Sequence, residues 1–176
     1  MASRVLIWNY VGSKSAFGHA SLRIGEEIPQ SSVYVSWWPN CTPGSSSESY
    51  WKAEKQEYFG LCEPKRSRKF SDDIADENGR PDRDVLLIGL DEAAMKQFWA
   101  DLTADPRAKW NATTTNCAAA VAAALQAGGS EDYFGVIGRL EFAASTFPNW
   151  WAWTPEAVYN YSVQLAQYLR EAGKSP

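Results

Sequence analysis

The alternation of apolar and polar residues predicts an antiparallel sheet near the start of the chain. Residues 4–9 form an apolar run, and residues 17–24 alternate so that His19 and Ser21 share one face of a strand. A glycine-containing turn follows, and residues 32–37 predict a third strand, which the next proline ends. Together these three segments predict an antiparallel meander.

Helical patterns dominate the second half of the chain. After a strand over residues 84–90, Asp91 is a typical N-cap for a helix with an apolar stripe. Asn116 precedes an alanine-rich run that two glycines end, and a threonine–proline pair predicts a C-terminal helix over residues 155–171. The length of 176 residues suits a single domain over the whole chain.

Two segments follow neither pattern. Residues 40–83 are rich in Ser, Gly, Pro and charge, and we interpret them as a loop-rich excursion, either a lid over a site or a flexible insertion. Within it, the basic run over residues 63–69 is interpreted as a solvated loop. Residues 147–153 form a dense aromatic loop, which we interpret as core packing, with contact at a lipid interface as the alternative.

Composition and charge narrow the class of protein. The net charge is −4 and there is no basic stripe, which argues against nucleic acid as a partner. The N-terminus lacks a signal-peptide pattern, and no apolar run is long enough to span a bilayer. We therefore expect synthesis in the cytoplasm without a cleaved signal peptide, and export, if any, through a specialised secretion system.

The three cysteines form neither a disulfide framework nor a metal-binding cluster. Cys41 and Cys62 flank the excursion, and we interpret them as incidental thiols, with a disulfide after export as the alternative. No CxxC pair or Cys/His cluster suggests zinc, so we predict no metal and no cofactor. The third cysteine, Cys117, has a different setting.

Cys117 follows Asn116 directly, so we place it in the first turn of the alanine-rich helix. The partial positive charge at a helix N-terminus favours thiolate over thiol. A thiolate is the nucleophile that cysteine hydrolases and transferases use. The alternative is that Cys117 is a small, buried apolar residue.

His19 is the only histidine in the chain and the natural partner for this thiol. An imidazole that faces a cysteine at a helix N-terminus takes the proton from the thiol and later returns it to the leaving group. A third polar group usually orients the imidazole. Ser36 and Tyr34 share one face of the next strand, and of these two we favour Ser36.

The candidates for the oxyanion hole or for contact with the substrate are Asn116, Tyr34 and Trp37. The backbone N–H of Cys117 would stabilise an oxyanion, and Asn116 either contributes to the same oxyanion hole or serves only as the helix cap. Trp37 lies at the end of the predicted third strand and is a candidate for the mouth of the cleft.

The order of these residues resembles a known superfamily. Residues 18–22 around His19, the strand over 85–90 and residues 110–125 around Cys117 resemble the circularly permuted branch of the papain-like NlpC/P60 superfamily. That branch includes lecithin:retinol acyltransferase-like and YiiX/YaeF-like proteins, and in it the histidine precedes the cysteine. The resemblance implies an α+β fold in which an antiparallel sheet packs against helices and the cysteine opens a helix.

The resemblance also implies chemistry at an amide, ester or thioester bond. We therefore predict a cysteine hydrolase or acyltransferase that acts on lipid or protein, with peptidoglycan peptides and protein deamidation as alternatives. Some standalone bacterial members resemble toxins delivered by secretion systems, which suggests a cognate inhibitor protein as a partner. We expect a monomer, with contact at a membrane interface as an option. The competing hypothesis is a catalytically silent binding module with the same fold.

Overall fold

A computed structural model describes residues 2–9, 18–25, 31–40, 63–111, 114–132 and 153–173. The strands in these ranges are β1 (Ala2–Trp8), β2 (His19–Ile24), β3 (Val33–Val35), β4 (Trp38–Pro39), β5 (Pro64–Lys65) and β6 (Arg83–Ile88). The helices are α1 (Phe70–Asp76), α2 (Glu92–Ala104), α3 (Cys117–Ala127) and α4 (Pro155–Glu171). A short 3₁₀ turn over Ser130–Asp132 follows α3.

The main sheet has four antiparallel strands in the order β3-β2-β1-β6. In the central register, Val5 of β1 lies opposite Leu22 of β2 on one side and Val85 of β6 on the other. The predicted meander is therefore confirmed, and the strand predicted over residues 84–90 extends it at the free edge of β1. Strands β4 and β5 form a separate two-stranded ladder.

The core lies between one face of this sheet and the helices. Because side chains alternate along a strand, Val5, Leu22 and Leu87 all point to that face, and each is almost fully buried. Helix α4 packs there through Val158 and Leu165, as its apolar pattern predicts. Burying one such aliphatic side chain is worth roughly 1.5–3 kcal/mol, so this face holds the sheet and helices together.

Side-chain caps fix where three of the helices begin. Asp91 accepts the backbone N–H of the third helical residue of α2, Asn116 does the same in α3, and Thr154 in α4. Each of these caps was predicted from the sequence, and each satisfies an N–H that has no acceptor within its helix. As a result Cys117 is the first residue of α3.

The other face of the sheet carries α1, which the sequence did not predict. Phe70 of this helix packs against Trp8 and Tyr34, with ring centroids 6.3 and 6.0 Å apart. Residues 70–76 of the predicted loop-rich excursion therefore form a helix. Residues 41–62, with Cys41 and Cys62, lie outside the described residues, and so does the aromatic loop up to residue 152.

The basic run is also more ordered than a solvated loop. Arg66 donates hydrogen bonds to the carbonyls of Thr103, Asp105 and Ala108, at 2.9, 2.7 and 3.1 Å. The carbonyls of Thr103 and Asp105 lie at the end of α2, where a cation interacts favourably with the helix dipole, and that of Ala108 lies in the loop that follows. Arg66 therefore ties the segment that precedes α1 to the end of α2.

The fold is α+β, as predicted, and it is compatible with a papain-like arrangement in which the cysteine opens a helix. Within the described ranges, no helix combines the length and apolar character needed to cross a bilayer.

Candidate active site

His19 begins β2 and points to the face of the sheet that carries α1. Its side chain is 2% exposed. The imidazole lies between two indole rings, with its centroid 5.4 Å from that of Trp8 and 4.8 Å from that of Trp38. This packing leaves the ring little freedom to reorient.

Cys117 meets this imidazole from the N-terminus of α3. It is a free, partly exposed thiol, close enough to His19 to shift the pKa of the imidazole. The structure therefore brings together the two residues that the sequence analysis paired. Since the first N–H groups of a helix have no intrahelical acceptor, the backbone N–H of Cys117 also points out of the helix end.

Asp73 of α1 lies on the other side of the imidazole. Its side chain is fully buried, and its Oδ2 is 2.9 Å from His19 Nε2. The Tyr34 hydroxyl donates to the same oxygen at 2.5 Å. The other oxygen, Oδ1, accepts from Ser36 Oγ at 2.9 Å and from Arg68 Nε at 2.8 Å.

These contacts assign a hydrogen-bonding role to each imidazole nitrogen. An ionised carboxylate can only accept, so His19 Nε2 must carry the hydrogen that it shares with Asp73. Trp38 Nε1 lies 3.2 Å from His19 Nε2, and it too can only donate. Since a protonated Nε2 has no lone pair to accept a hydrogen bond, this contact is one of packing. Nδ1 is then the nitrogen that remains for Cys117.

Charge and burial have opposite effects on the pKa of His19 and on that of Asp73. Burial alone lowers the pKa of His19, but the negative charges and hydrogen bonds of Cys117 and Asp73 outweigh it and raise that pKa to about 9. Burial raises the pKa of Asp73, yet its hydrogen bonds from His19, Tyr34 and Arg68 and the charge of His19 hold it well below the usual range. At neutral pH the imidazole is therefore protonated beside an ionised carboxylate.

Tyr34 stays neutral in this setting. Burial raises the pKa of its hydroxyl far above the ordinary value, and the adjacent Asp73 charge raises it further. The hydroxyl is also 2.8 Å from Ser21 Oγ. Tyr34 therefore acts as a fixed hydrogen-bond donor to Asp73.

The remaining predicted residues are placed as follows. Ser36 Oγ is 3.3 Å from His19 Nε2, so it contacts the imidazole less closely than Asp73 does. The amide of Asn116 caps α3 through Oδ1 and ties Nδ2 to the carbonyl of Trp153 at 2.8 Å. An additional role for Asn116 in an oxyanion hole stays a prediction.

Trp37 is almost fully buried and packs edge-on against Trp99, with centroids 5.8 Å apart. It also lines a largely apolar cleft of about 390 Å³ beside α3. The other apolar walls of this cleft are Phe98, Leu102, Ala108, Ala119, Ala120 and Ala123, and the polar part of its lining is Arg107, Lys109, Thr114 and Thr115. Since Ala120 lies one helical turn beyond the nucleophile candidate, the cleft runs along the same helix that Cys117 opens. Its volume is in the range of small-ligand sites, roughly 300–1,000 Å³.

Sequence reasoning missed Asp73 because it lies in a seven-residue helix inside a segment read as loop. The available signal was weak. Phe70 and Ile74 have the spacing of one helix face, and two acids fall in the first turn. Within the described residues, no group of three or more His, Cys, Asp or Glu side chains is arranged to hold a metal ion.

Comparison with known proteins shows where the chain belongs. Two overlapping segments, residues 2–86 and 47–176, match the IcsB middle domain. The chain is a member of the IcsB middle-domain family. The family is thus established over nearly the whole chain, whereas the narrower resemblance to NlpC/P60 and lecithin:retinol acyltransferase-like proteins stays a hypothesis.

Two larger bacterial proteins carry a similar segment. The chain is 37% identical over 83 residues to a multifunctional-autoprocessing repeats-in-toxin protein of Vibrio vulnificus. It is 34% identical over 83 residues to a protein of the same name from Vibrio cholerae serotype O1. Each match covers 47% of this chain but only 1% or 2% of the toxin. The similarity places the chain among bacterial toxin- and effector-related domains.

Proposed function

We propose that this chain is a cysteine acyltransferase or hydrolase of a bacterial toxin or effector. In the proposal Cys117 is the nucleophile, His19 is the general base and acid, and Asp73 orients the imidazole. One observation carries it: a partly exposed thiol opens a helix close to a buried imidazole, and that imidazole contacts a fully buried carboxylate. Nucleophile, base and orienting group in this order are typical of covalent acyl transfer.

The first step forms an acyl-enzyme. The thiolate of Cys117 attacks the carbonyl carbon of an ester, thioester or amide, and the backbone N–H at the start of α3 stabilises the resulting oxyanion. His19, which is protonated, gives its Nδ1 proton to the leaving group as the carbon–heteroatom bond breaks. Until it gives up this proton, the imidazolium is stabilised by Asp73, whose Oδ2 lies 2.9 Å from Nε2. The ring is then neutral in the acyl-enzyme.

The second step releases the acyl group. His19 now takes a proton from water or from an amine or hydroxyl acceptor, which attacks the thioester carbonyl. The carbon–sulfur bond breaks, and Cys117 leaves as the thiolate that pairs again with the imidazolium. Water as acceptor gives hydrolysis, whereas a side-chain amine or hydroxyl gives acyl transfer.

The apolar cleft favours an acyl chain as the group that Cys117 carries. Its apolar walls are alanines, a leucine and two aromatic rings, and Arg107, Lys109, Thr114 and Thr115 form the rest of its lining. The cleft lies next to the first turn of α3. An aliphatic chain gains about 0.8 kcal/mol per buried methylene in such a cleft. A peptidoglycan peptide, the alternative substrate, is polar along its whole length and gains less there.

The toxin relatives suggest where the substrate is found. A similar segment occurs in two multifunctional toxins. We therefore propose that the acceptor belongs to a target cell and that the producing cell requires either export or an inhibitor protein for protection. Both partners are proposals that follow from similarity to those toxins.

The acyl-enzyme itself is the test. Wild-type protein is mixed with p-nitrophenyl octanoate, and both nitrophenolate release and protein mass are followed. We expect a burst of nitrophenolate and the addition of one octanoyl group, mapped by peptide sequencing to Cys117. The Cys117→Ala protein should show neither. A wild-type protein without burst or adduct, or an adduct on another residue, would refute the proposal in favour of a silent binding module.

A further inference from the structure

We propose that Arg68 is a positioning residue for this site, whose guanidinium locks the Asp73 carboxylate so that a single oxygen faces His19. The inference rests on the proposed function, because it assigns Arg68 a part in holding the same imidazole. Arg68 touches neither Cys117 nor the apolar cleft in any described contact, so its effect passes through Asp73.

Arg68 is buried against two carboxylates. Its side chain is 4% exposed, and its Nη2 lies 2.7 Å from Asp73 Oδ1 and 2.8 Å from Asp76 Oδ2. Its Nε donates to the same Asp73 oxygen at 2.8 Å. Because the guanidinium donates to two carboxylates at once, the orientation of its plane is fixed.

The two oxygens of Asp73 therefore have separate partners. Arg68 and Ser36 occupy Oδ1, whereas His19 and Tyr34 occupy Oδ2. A carboxylate offers about four lone-pair sites, and these donors use them all. Rotation of the carboxylate would break contacts on both oxygens, so Arg68 keeps Oδ2 on the imidazole.

Trp38 completes the support. The Arg68 guanidinium lies 4.7 Å from the centroid of the Trp38 ring, and the same indole packs against His19. Lys65 also approaches this ring, at 5.9 Å, and its Nζ is 3.8 Å from Asp76. The indole thus links the guanidinium that holds Asp73 to the imidazole that Asp73 orients.

This arrangement requires an arginine rather than any cation. A lysine ammonium is a point charge on a flexible stem, and it cannot meet two carboxylates in one plane while stacking on an indole. The basic run of the sequence is accounted for in the same way, since Arg66 binds the end of α2 and Arg68 binds the site.

The experiment compares Arg68→Ala and Arg68→Lys with the wild type, using p-nitrophenyl octanoate as substrate. Arg83→Ala is the matched control, because Arg83 also pairs with an acid, Glu156, and stacks on a ring, Tyr159, at 4.1 Å, yet lies outside the site. Turnover is measured with and without millimolar guanidinium chloride, with sodium chloride at the same concentration as the salt control. Circular dichroism and thermal unfolding report whether each variant is folded.

We expect kcat to fall about 10- to 100-fold in Arg68→Ala with little change in KM, which is the size of effect that loss of an orienting partner has in other sites. Guanidinium should restore kcat several-fold, and sodium should not. Arg68→Lys should remain folded and recover only part of the rate. A merely structural arginine would lower stability without such rescue.

The outcomes separate the two proposals. If wild type shows no octanoyl adduct on Cys117, the proposed function fails and the inference falls with it. The second case is a wild type that forms the adduct while both Arg68 variants turn over as fast as the wild type or as Arg83→Ala. The proposed function then stands, and the inference on Arg68 is overturned. Loss of activity in folded Arg68→Ala without rescue by guanidinium also overturns it.

Discussion

The two sides of the His19 imidazole are built in different ways. On the cysteine side, a helix cap places Cys117 by contacts within three residues of chain, from Asn116 to the N–H of Ala119. On the acid side, Asp73 reaches His19 across a separation of 54 residues, and it depends on donors from β2, β3 and the segment before α1. One side is a local motif, and the other is a network.

The difference shows why a change in a buried polar network lowers stability more than a change in a local helix cap does. A cap contributes about 1 kcal/mol and can be lost without unfolding a domain. A fully buried carboxylate with four donors gives up several hydrogen bonds at once, and removing one member leaves the others unpaired. The predictions below test this contrast, from the largest expected effect to the smallest.

The largest effect should come from replacing Cys117 or His19, the proposed nucleophile and base. We expect Cys117→Ala and His19→Ala each to lower turnover of p-nitrophenyl octanoate by at least about 10³-fold, because nucleophile and base act as one unit. The double variant should be no worse than the single ones. Ser162→Ala, a buried change on α4, is the control for folding. Wild-type turnover in either single variant would exclude the paired role.

The second-largest effect should come from replacing Asp73. Asp73→Asn replaces an acceptor by an amide that is itself a donor, so we expect a loss of about 10²–10⁴-fold in kcat. Arg68 would keep Asp76 but lose its Asp73 partner, so the unfolding free energy should also fall by about 1–3 kcal/mol. Ser36→Ala should cost less than about tenfold, since Ser36 is the more distant neighbour of the imidazole. If Ser36→Ala is the more damaging change, Ser36 rather than Asp73 orients the ring.

Filling the apolar cleft should slow the reaction of esters with long acyl groups only. Ala123→Phe places a ring in the apolar cleft beside α3. We expect kcat/KM for p-nitrophenyl octanoate to fall about tenfold, with p-nitrophenyl acetate unaffected within about twofold, because only the longer chain needs the filled space. Val163→Phe on the exposed face of α4 is the control. Equal losses for both esters would argue against an acyl chain in this cleft.

The smallest effect should come from the cap itself. Asn116→Ala and Asp91→Ala remove equivalent side-chain caps of α3 and α2, and each should lower the unfolding free energy by about 1 kcal/mol in urea titrations. Turnover should fall several-fold only in Asn116→Ala, since only α3 carries the nucleophile. A loss in Asn116→Ala as large as that in Cys117→Ala would instead place the amide in the oxyanion hole.

The same contrast explains what could be predicted from the sequence. Asn116, Cys117 and the alanines that follow are adjacent, so the capped helix and its nucleophile were predictable from local propensity. His19 was predictable because the chain has one histidine and the strand alternates. The meander and α4 also follow from period and caps.

Asp73 and Arg68 were not predictable by those means. Helix α1 is too short for a periodic pattern, and its position depends on Phe70 packing against side chains from two distant strands. No local signal says which of 21 acidic residues will meet the imidazole. Such pairings arise from tertiary packing, which single-sequence patterns do not encode.

The most direct test of the central claim is the pH dependence of Cys117 alkylation by iodoacetamide, followed by mass spectrometry of its peptide. The pKa of His19 is raised to about 9, so a cationic imidazolium stays near Cys117 throughout the neutral range. A neighbouring cation of this kind favours thiolate over thiol. We predict that the alkylation rate at pH 6 stays within about threefold of the rate at pH 8, and that His19→Ala abolishes this plateau. An unassisted thiol, with an ordinary pKa near 8.5, would lose nearly 100-fold over the same interval. That steep loss in the wild-type protein would contradict the account.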